Sequence, residues 1–329
     1  MPRIAYLDLA FVYFYEDYAI KPKRYGGGRI FASLLKEFDN FSIFADKECF
    51  NNLQNWENKK NCITTTPEQR TKIAVGYPIG EVLPEIHNFD ILLHPHTSVH
   101  INTNGTKIKQ VVWQLGIEEN IHSYHDTLLL YNDYQRIKLG NPNTKIFKFC
   151  LGTEIPKYFQ KQTKEDFIFQ CSRHVSVFNT IEIAKFCNNR KIRCYFAGPI
   201  DPSYKLKDHI DNISTFYLGE LEEDIKLHYT KRARLYTLIH NWPTPFSLSA
   251  VEALSLGTPV VCTPIGFWPS LIKPNVNGFF ATNEEELYKA WIQAKDINQH
   301  DCYTSVLKHN HYSMIESLFD IFNKIHFTK

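Results

Sequence analysis

The chain has 329 residues, enough for two domains of ordinary size, and 43% of them are hydrophobic, which is ample for two cores. Its 37 basic and 35 acidic residues nearly balance, so the overall charge does not indicate a strong polyanion-binding surface. No apolar run is long enough to cross a bilayer, and we find no signal peptide or lipidation motif, so we expect a cytoplasmic protein, with peripheral membrane contact left open.

The eight cysteines are scattered along the chain, and no two of them form a C-x-x-C pair. Several lie in apolar runs, where a thiol behaves as a small hydrophobic group. This pattern favours buried free thiols in a reducing compartment over disulfides or a zinc site.

The N-terminal segment reads as a strand, a glycine loop and a helix. The strand is predicted over residues 3–9, and the loop contains Gly27 and Gly28 directly before a helix predicted over residues 30–38. This order directs backbone N–H groups at a phosphate or a sugar, although a plain flexible turn explains a glycine run equally well. The glycines lack the G-x-G-x-x-G spacing, so dinucleotide binding is not expected.

The rest of the first half alternates buried strands with polar segments. The strand predicted over residues 90–94 ends in His94-Pro95-His96, at the carboxyl end where open α/β sheets bind ligands. His94 and His96 are candidates for acceptor contact or for electrostatic help at the reacting centre, against the alternative of histidines bonded for structural reasons. Further strands are predicted over residues 41–45, 110–115, 127–131 and 144–149, and residues 51–70 are predicted as surface helix and loop.

The second half repeats the alternation of strands and helices, which predicts a second parallel sheet. Residues 157–165 are polar and are predicted as a linker, and the strand after them is followed by Arg173. Strands are predicted over residues 166–171, 193–197, 216–219 and 235–239, and helices over residues 180–187, 284–295 and 312–325.

The most informative stretch is WPTPFSLSAVEALSLGTPVVCTPIGFWPSLIKPNVNGFF, residues 242–280. Two prolines break the chain before a short helix with one apolar face, which begins near residue 247. Gly257 lies at the position of a C-terminal cap, and residues 258–263 form an apolar, β-branched strand. Gly266 lies in the proline-rich loop that follows and allows close backbone approach.

A helix start beside a glycine-containing loop is an anion site, because its free N–H groups and its dipole both favour phosphate. Phosphate repels a carboxylate, so Glu252 in the first turns of this helix would instead accept hydrogen bonds from sugar hydroxyls. Phosphate and hydroxyl sites together describe a nucleotide sugar. The alternative is a capping box from Ser249 to Glu252, in which the carboxylate serves the backbone.

This stretch resembles the nucleotide-sugar signature of family 4 retaining glycosyltransferases of the GT-B fold. Their pattern has a Glu, a Pro-Phe and a second Glu eight positions after the first, then a Gly-x-Pro-Val-Val strand and a glycine-containing loop. Glu252 matches the second Glu, which holds the ribose in the family. This sequence departs from the family pattern at two positions. The first Glu, which contacts the transferred sugar in the family, is replaced by Thr244. The family also has a diphosphate-binding Lys about five residues after an Arg that Arg173 matches, and that Lys position falls near Phe178.

The resemblance implies an α/β protein of the GT-B fold, with two Rossmann-like domains whose parallel sheets face across a cleft. It implies an acceptor domain at residues 1–156, the linker at 157–165, a nucleotide-sugar domain at 166–303, and a C-terminal helix at 304–329 that returns to the first domain. It also implies the following sites: catalytic His94, His96 and Arg173; donor-binding Gly27, Gly28, Arg173, Thr244, Pro245, Phe246, Ser247, Leu248, Glu252, Gly266 and Phe267; and acceptor contacts Tyr15, Arg24 and Trp113.

The implied reaction is a metal-independent, retaining sugar transfer of the hexosyltransferase type, from a UDP- or GDP-linked sugar to a hydroxyl acceptor. No Asp-x-Asp and no H-E-x-x-H motif is present, so no metal or other cofactor is expected. Two alternatives stay open. One is a nucleic-acid base glycosyltransferase that uses the basic residues between 21 and 29, and the other is a degenerate nucleotide-sugar-binding protein, motivated by the two departures.

Overall fold

The computed structural model describes residues 1–7, 39–46, 62–94, 101–113, 127–130 and 145–327. The chain divides into two compact units, the first made of Met1–Leu151 with His311–Lys329 and the second of Gly152–Asn310. The first unit therefore contains both ends of the chain. The predicted 157–165 linker lies inside the second unit, and the C-terminal helix lies in the first.

The first unit contains a parallel sheet of seven described strands: Ile4–Leu7 (β1), Phe41–Asp46 (β2), Cys62–Thr65 (β3), Ile91–His94 (β4), Lys109–Trp113 (β5), Thr127–Leu130 (β6) and Lys145–Lys148 (β7). They lie in the order β3-β2-β1-β4-β5-β6-β7. The central strands β1 and β4 are buried over their whole length because both faces of the sheet are covered. The order reverses between β1 and β4, which pair in parallel.

The prediction of helix and loop over residues 51–70 was wrong for β3. This strand is four residues long and pairs only with β2, at one edge of the sheet, so most of its side chains are partly exposed. A short half-exposed strand lacks the apolar run that identifies a buried one. The helix after it, Pro67–Ala74 (α1), begins at a capping box between Thr66 and Gln69.

The C-terminal helix, His311–Phe327, buries Met314, Leu318 and Phe322 along one face within the first unit. Its final carbonyl groups meet a cation, since Lys109 Nζ donates to Ile325 O at 2.7 Å and to His326 O at 2.9 Å. A positive charge at the carboxyl end of a helix is favourable because it opposes the helix dipole. A further short α-helix among the described residues of this unit is Ile79–Val82 (α2).

The second unit contains six parallel strands: Glu165–Cys171 (β8), Arg193–Ala197 (β9), Thr215–Tyr217 (β10), Ala233–Leu238 (β11), Val260–Cys262 (β12) and Gly278–Phe280 (β13). Its α-helices are Thr180–Arg190 (α3), Glu223–Arg232 (α4), Leu248–Ser255 (α5), Trp268–Leu271 (α6), Glu284–Gln293 (α7) and Gln299–Ser305 (α8). The strand order β10-β9-β8-β11-β12-β13 is the doubly wound arrangement. Two apolar clusters cover the two faces of the sheet, one against α5 and the other against α3 and α7.

Candidate functional site

The strand order of the second unit locates its candidate site. In doubly wound sheets, ligands bind outside the carboxyl ends of the strands, where the order reverses. That point lies between β8 and β11, which pair in parallel, with β12 next to β11. The loops that follow these three strands contain Arg173, Thr244 and Gly266, so the fold brings together segments that are far apart in sequence.

Helix α5 follows the loop after β11 and begins where the sequence predicts. Ser247 is its N-terminal cap, with extended backbone angles and an Oγ that accepts a hydrogen bond from Ala250 N at 3.3 Å. The capping box from Ser249 to Glu252 is not formed, because the N-terminal cap is Ser247. The third residue after this cap is Ala250, whose side chain cannot complete a capping box. The first turn of a helix has N–H groups without intrahelical partners, and the dipole favours an anion beside them.

The Glu252 carboxylate is buried and paired with a cation. Its side chain is 8% exposed, and Oε2 accepts a hydrogen bond from Lys226 Nζ at 2.8 Å. Lys226 lies on α4, and its Nζ is also 3.0 Å from Glu223. A carboxylate is buried in proteins only with such a partner, since desolvation disfavours the charged form. A carboxylate that is paired with a cation in this way is a strong hydrogen-bond acceptor.

Tyr236 lies beside this pair, on β11. Its hydroxyl donates to Cys171 O at 2.9 Å and accepts from Cys171 N at 3.3 Å, which ties the end of β8 to β11. Burial first, with contributions from Cys171 and Glu252, raises the pKa of the Tyr236 phenol well above its ordinary value. The phenol therefore stays protonated and neutral beside the carboxylate.

Arg173 lies two residues beyond the end of β8, and its side chain is 66% exposed. Its closest described carboxylate is 3.8 Å away, on Asp201. The pKa of Asp201 is lowered mainly by hydrogen bonds from Ser203, and Arg173 is the smallest of the causes. The ion pair is thus a weak surface contact, so the guanidinium can turn toward an anion at small cost.

The residue after Arg173 anchors this loop. His174 is fully buried, and its Nε2 lies 3.0 Å from Ala197 O, which requires the proton on that nitrogen. Its Nδ1 is then an acceptor for the Thr180 hydroxyl at 3.2 Å. Burial lowers the pKa of His174 to about 4, so the ring is neutral at physiological pH. The loop that carries Arg173 is therefore held at the start of α3.

Phe178 lies near the position where the family pattern has a diphosphate-binding Lys. Its ring lies edge-on to His240, with centroids 4.4 Å apart. Burial lowers the pKa of His240 to about 4, so this ring is neutral as well. Neither side chain supplies a positive charge.

The loop after β12 packs closely on the turn that precedes α5. Phe267 N donates to Thr244 O at 3.0 Å, and Thr244 Oγ1 donates to Phe246 O at 3.1 Å. Gly266 has a φ of +65°, and a Cβ there would lie 2.7 Å from both Thr244 N and Thr244 O. The Phe246 and Phe267 rings contact each other, with centroids 4.7 Å apart. Thr244 is therefore part of a fixed turn, with its hydroxyl bonded to the backbone.

Two of the sites predicted in the first half are described by the structure. His94 is the last residue of β4, at the point where the strand order of the first sheet reverses. Its side chain is fully buried, and its Nε2 lies 2.7 Å from Gln110 Nε2. Trp113 is fully buried and packs edge-on against Phe149. Both side chains serve the packing of the first unit, and contact with an acceptor stays a prediction. The predicted residues Tyr15, Arg24, Gly27, Gly28 and His96 lie outside the described residues, as does the basic segment 21–29.

Sequence reasoning missed Lys226 and Tyr236. Lys226 lies on a polar helix, 26 residues before its partner Glu252, so no local spacing signals the contact. Tyr236 lies in an apolar strand, where an aromatic residue reads as ordinary packing. In the part of the chain that the structure describes, we find no cluster of three metal-ligating side chains. No described helix has the length and apolar character needed to span a membrane.

Residues 153–301 match the family model of the glycosyl transferases group 1. No curated protein matches the chain in sequence. Solved structures do match, and among them are the following three, each over nearly its whole length.

A glycosyltransferase from Rickettsia africae ESF-5 is 15% identical, with a TM-score of 0.74 over 99% of each chain. Alr3699/HepE of Anabaena, in complex with UDP, is 14% identical, with a TM-score of 0.74 over 98% of this chain and 100% of that one. Sucrose-phosphate synthase from Thermosynechococcus elongatus is 12% identical, with a TM-score of 0.70 over 99% of each chain. These likenesses confirm the predicted fold class, an α/β protein of the GT-B type with two parallel-sheet Rossmann-like domains.

Proposed function

We propose, from the match of residues 153–301 to the family model of the glycosyl transferases group 1, that this protein moves a sugar from a nucleoside-diphosphate sugar to a hydroxyl acceptor. One observation carries the donor site. At the reversal point of the second sheet, a buried Glu252 that is paired with Lys226 lies in α5, the helix that follows the Thr244 turn. Arg173 lies just after the end of the neighbouring strand β8.

In this proposal each group receives a different part of the donor. The diphosphate lies at the first turn of α5 and against the Arg173 guanidinium, whose planar fork fits phosphate oxygens. The ribose hydroxyls donate to Glu252, and the Gly266 loop closes over the sugar end. An ionised acceptor for hydroxyls and a positive field for phosphate make the site selective for a nucleotide sugar.

The nucleotide is proposed to be UDP first and GDP second. Structures of the similar Alr3699/HepE contain UDP, UDP with glucose, or UDP-glucose. This supports a UDP-linked hexose as the first donor to test here.

The proposed reaction proceeds with retention at the anomeric carbon. The bond from that carbon to the diphosphate oxygen breaks, the acceptor oxygen bonds on the same face, and the acceptor proton passes to the leaving diphosphate. Negative charge grows on the diphosphate as the bond breaks. The N–H groups of the first turn of α5 are fixed donors for that charge, and the Arg173 guanidinium turns toward it; donors of this kind are a large term in catalysis. No metal or other cofactor is part of the proposal.

The acceptor is proposed to be a glycan, a lipid-linked sugar or a small molecule, bound by the first unit. A nucleic-acid base as acceptor stays an alternative, since the basic residues that motivate it lie outside the described part of the chain. The cytoplasm stays the proposed compartment because the seven described cysteines are free thiols, which suits a reducing environment.

Replacing Arg173 with alanine is expected to weaken binding of the nucleoside diphosphate by about 10-fold or more, because a charge-assisted contact to phosphate is lost. Wild type is first screened by thermal shift against UDP, GDP, ADP and TDP sugars, and affinity for the best ligand is then measured by calorimetry. Arg193→Ala is the matched control. Arg193 is exposed and is the first residue of β9, so it lies at the amino ends of the strands, away from the candidate site at their carboxyl ends. Equal affinities in the two variants would remove Arg173 from the site, and no ligand in the screen would refute the proposed function.

A further inference from the structure

Trp242 is an exposed tryptophan in the loop that links β11 to α5. It is 57% exposed, whereas the other tryptophans that the structure describes, Trp113, Trp268 and Trp291, are buried. Tryptophan is on average a highly buried residue, because its indole is a large apolar group. Among the described residues, we find no hydrogen bond or ring contact to the Trp242 indole. A large aromatic surface is therefore available to a ligand at this point of the loop.

The backbone on the amino side of Trp242 is fixed to two neighbouring segments. Asn241 N donates to Val177 O at 3.0 Å, in the segment that follows β8. His240 N donates to Thr263 Oγ1 at 2.9 Å, and this hydroxyl donates to His240 O at 2.7 Å, directly after β12. The residues before Trp242 are thus held at the carboxyl ends of these strands, where doubly wound sheets bind their ligands.

The backbone on the carboxyl side of Trp242 lies against the Gly266 loop. A Cβ at Gly266 would lie 3.2 Å from Pro243 Cα and 2.7 Å from Thr244 N. Consecutive Cα atoms are about 3.8 Å apart, so Trp242 is within one residue of this close approach. The proposed function assigns the same turn and loop to the sugar end of the donor. Trp242 is therefore within reach of the transferred sugar.

The chain around Trp242 carries no charge. Residues 235–251 contain no Asp, Glu, Lys or Arg. Burial lowers the pKa of His240 to about 4, so its ring is neutral at physiological pH. The Thr244 hydroxyl donates to Phe246 O at 3.1 Å, within the turn itself. This segment offers an aromatic surface and no charged side chain, which suits an uncharged part of a ligand with an apolar face.

We propose that Trp242 is a specificity-determining residue that covers one face of the transferred sugar with its indole, and that this sugar is a neutral pyranose. The inference rests on the proposed function, in which the sugar end of the donor lies at the Gly266 loop. A pyranose carries C–H groups on the faces of its ring and hydroxyls at its rim. The face of an indole is negative, so it attracts C–H groups and disfavours a carboxylate. Contact between the two also removes apolar surface from water.

The test compares the dissociation constants of UDP-glucose and UDP by calorimetry, or those of the nucleotide sugar that the thermal-shift screen selects and its nucleoside diphosphate. Trp242→Ala is expected to weaken the nucleotide sugar about 10-fold and the diphosphate less than about 2-fold, since only the sugar meets the indole. Trp242→Phe keeps a smaller aromatic ring and is expected to weaken the nucleotide sugar about 3-fold. Both variants should fold, because the residue is exposed.

Tyr158→Ala is the matched control. Tyr158 is a 71% exposed aromatic residue of the same unit, and it precedes β8, whereas the candidate site follows that strand. This variant should bind both ligands as wild type does. Fluorescence gives a second measurement on wild type itself, since acrylamide quenches an exposed indole. The nucleotide sugar should protect the protein from quenching more than the diphosphate does, and Trp242→Phe should lose this difference.

Several outcomes would overturn the inference. If Trp242→Ala weakens both ligands by the same factor, or neither of them, the indole does not meet the sugar. If this variant raises only the KM of the acceptor, the ring belongs to the acceptor site, and a screen that selects a uronic acid donor would contradict a neutral sugar. The proposed function survives each of these results if Arg173→Ala weakens the diphosphate. If wild type binds no nucleotide sugar, the donor site fails and the role of Trp242 fails with it.

Discussion

Replacing Glu252 with glutamine is expected to lower kcat/KM for the nucleotide sugar by about 100-fold, because two charge-assisted bonds to the ribose become weak neutral ones at a loss of about 3 kcal/mol. Glutamine has nearly the same shape, and Lys226 keeps its second partner, Glu223, at 3.0 Å. The variant should therefore fold. Initial rates across a range of donor concentrations measure the effect, and thermal unfolding checks the fold.

Glu252→Ala is a different experiment. It removes the buried carboxylate that lies 2.8 Å from Lys226 Nζ, so a partly buried ammonium group loses one of its two acidic partners. We expect its melting temperature to fall below that of Glu252→Gln, with a similar loss of activity. Glu285→Gln, an exposed substitution on α7, controls for loss of one negative charge. Wild-type kcat/KM in Glu252→Gln would show that the carboxylate does not meet the donor.

Replacing Gly266 with alanine is expected to destabilise the protein by about 1–3 kcal/mol and to lower donor affinity with it. Two effects add at this position. Its φ of +65° disfavours a side chain, and a Cβ would lie 2.7 Å from the backbone N and O of Thr244, which cannot yield as a flexible side chain would. The clash would push the loop after β12 away from the turn that leads into α5.

Gly219→Ala separates these two effects. Gly219 has a φ of +73°, but no atom lies within 4 Å of the Cβ that alanine would add. It should therefore show the backbone strain without the clash, and a smaller fall in melting temperature. Equal falls in the two variants would mean that the contact between Gly266 and Thr244 contributes nothing to stability.

Local patterns were sufficient for five of the six strands of the second sheet and for its site helix, but the edge strand Gly278–Phe280 was not predicted. The apolar strand at Arg193–Ala197 was predicted to the residue, and α5 was predicted from apolar spacing followed by Gly257. Strands buried on both faces and helices with one buried face leave a periodic signal that does not depend on distant residues. For the same reason, the short edge strand Cys62–Thr65, which pairs on one side only, left no signal and was missed.

The candidate site shows where sequence reasoning ends. Either Ser247 or Ser249 could cap a helix by its chemistry, and in the structure Ser247 is the cap. Glu252 is therefore not part of a capping box. The partner of Glu252 could not be predicted, because Lys226 reaches it from another helix. Long-range pairs of this kind depend on how helices pack on the sheet, and the amino-acid spacing along one helix does not encode that.

A crystal structure with UDP, or with the nucleoside diphosphate that the screen selects, tests the central claim most directly. We expect the ribose hydroxyls within hydrogen-bonding distance of the Glu252 carboxylate, with the diphosphate at the first turn of α5 and beside Arg173. A nucleotide bound at full occupancy elsewhere on the chain, with Glu252 still contacting only protein groups, would contradict it.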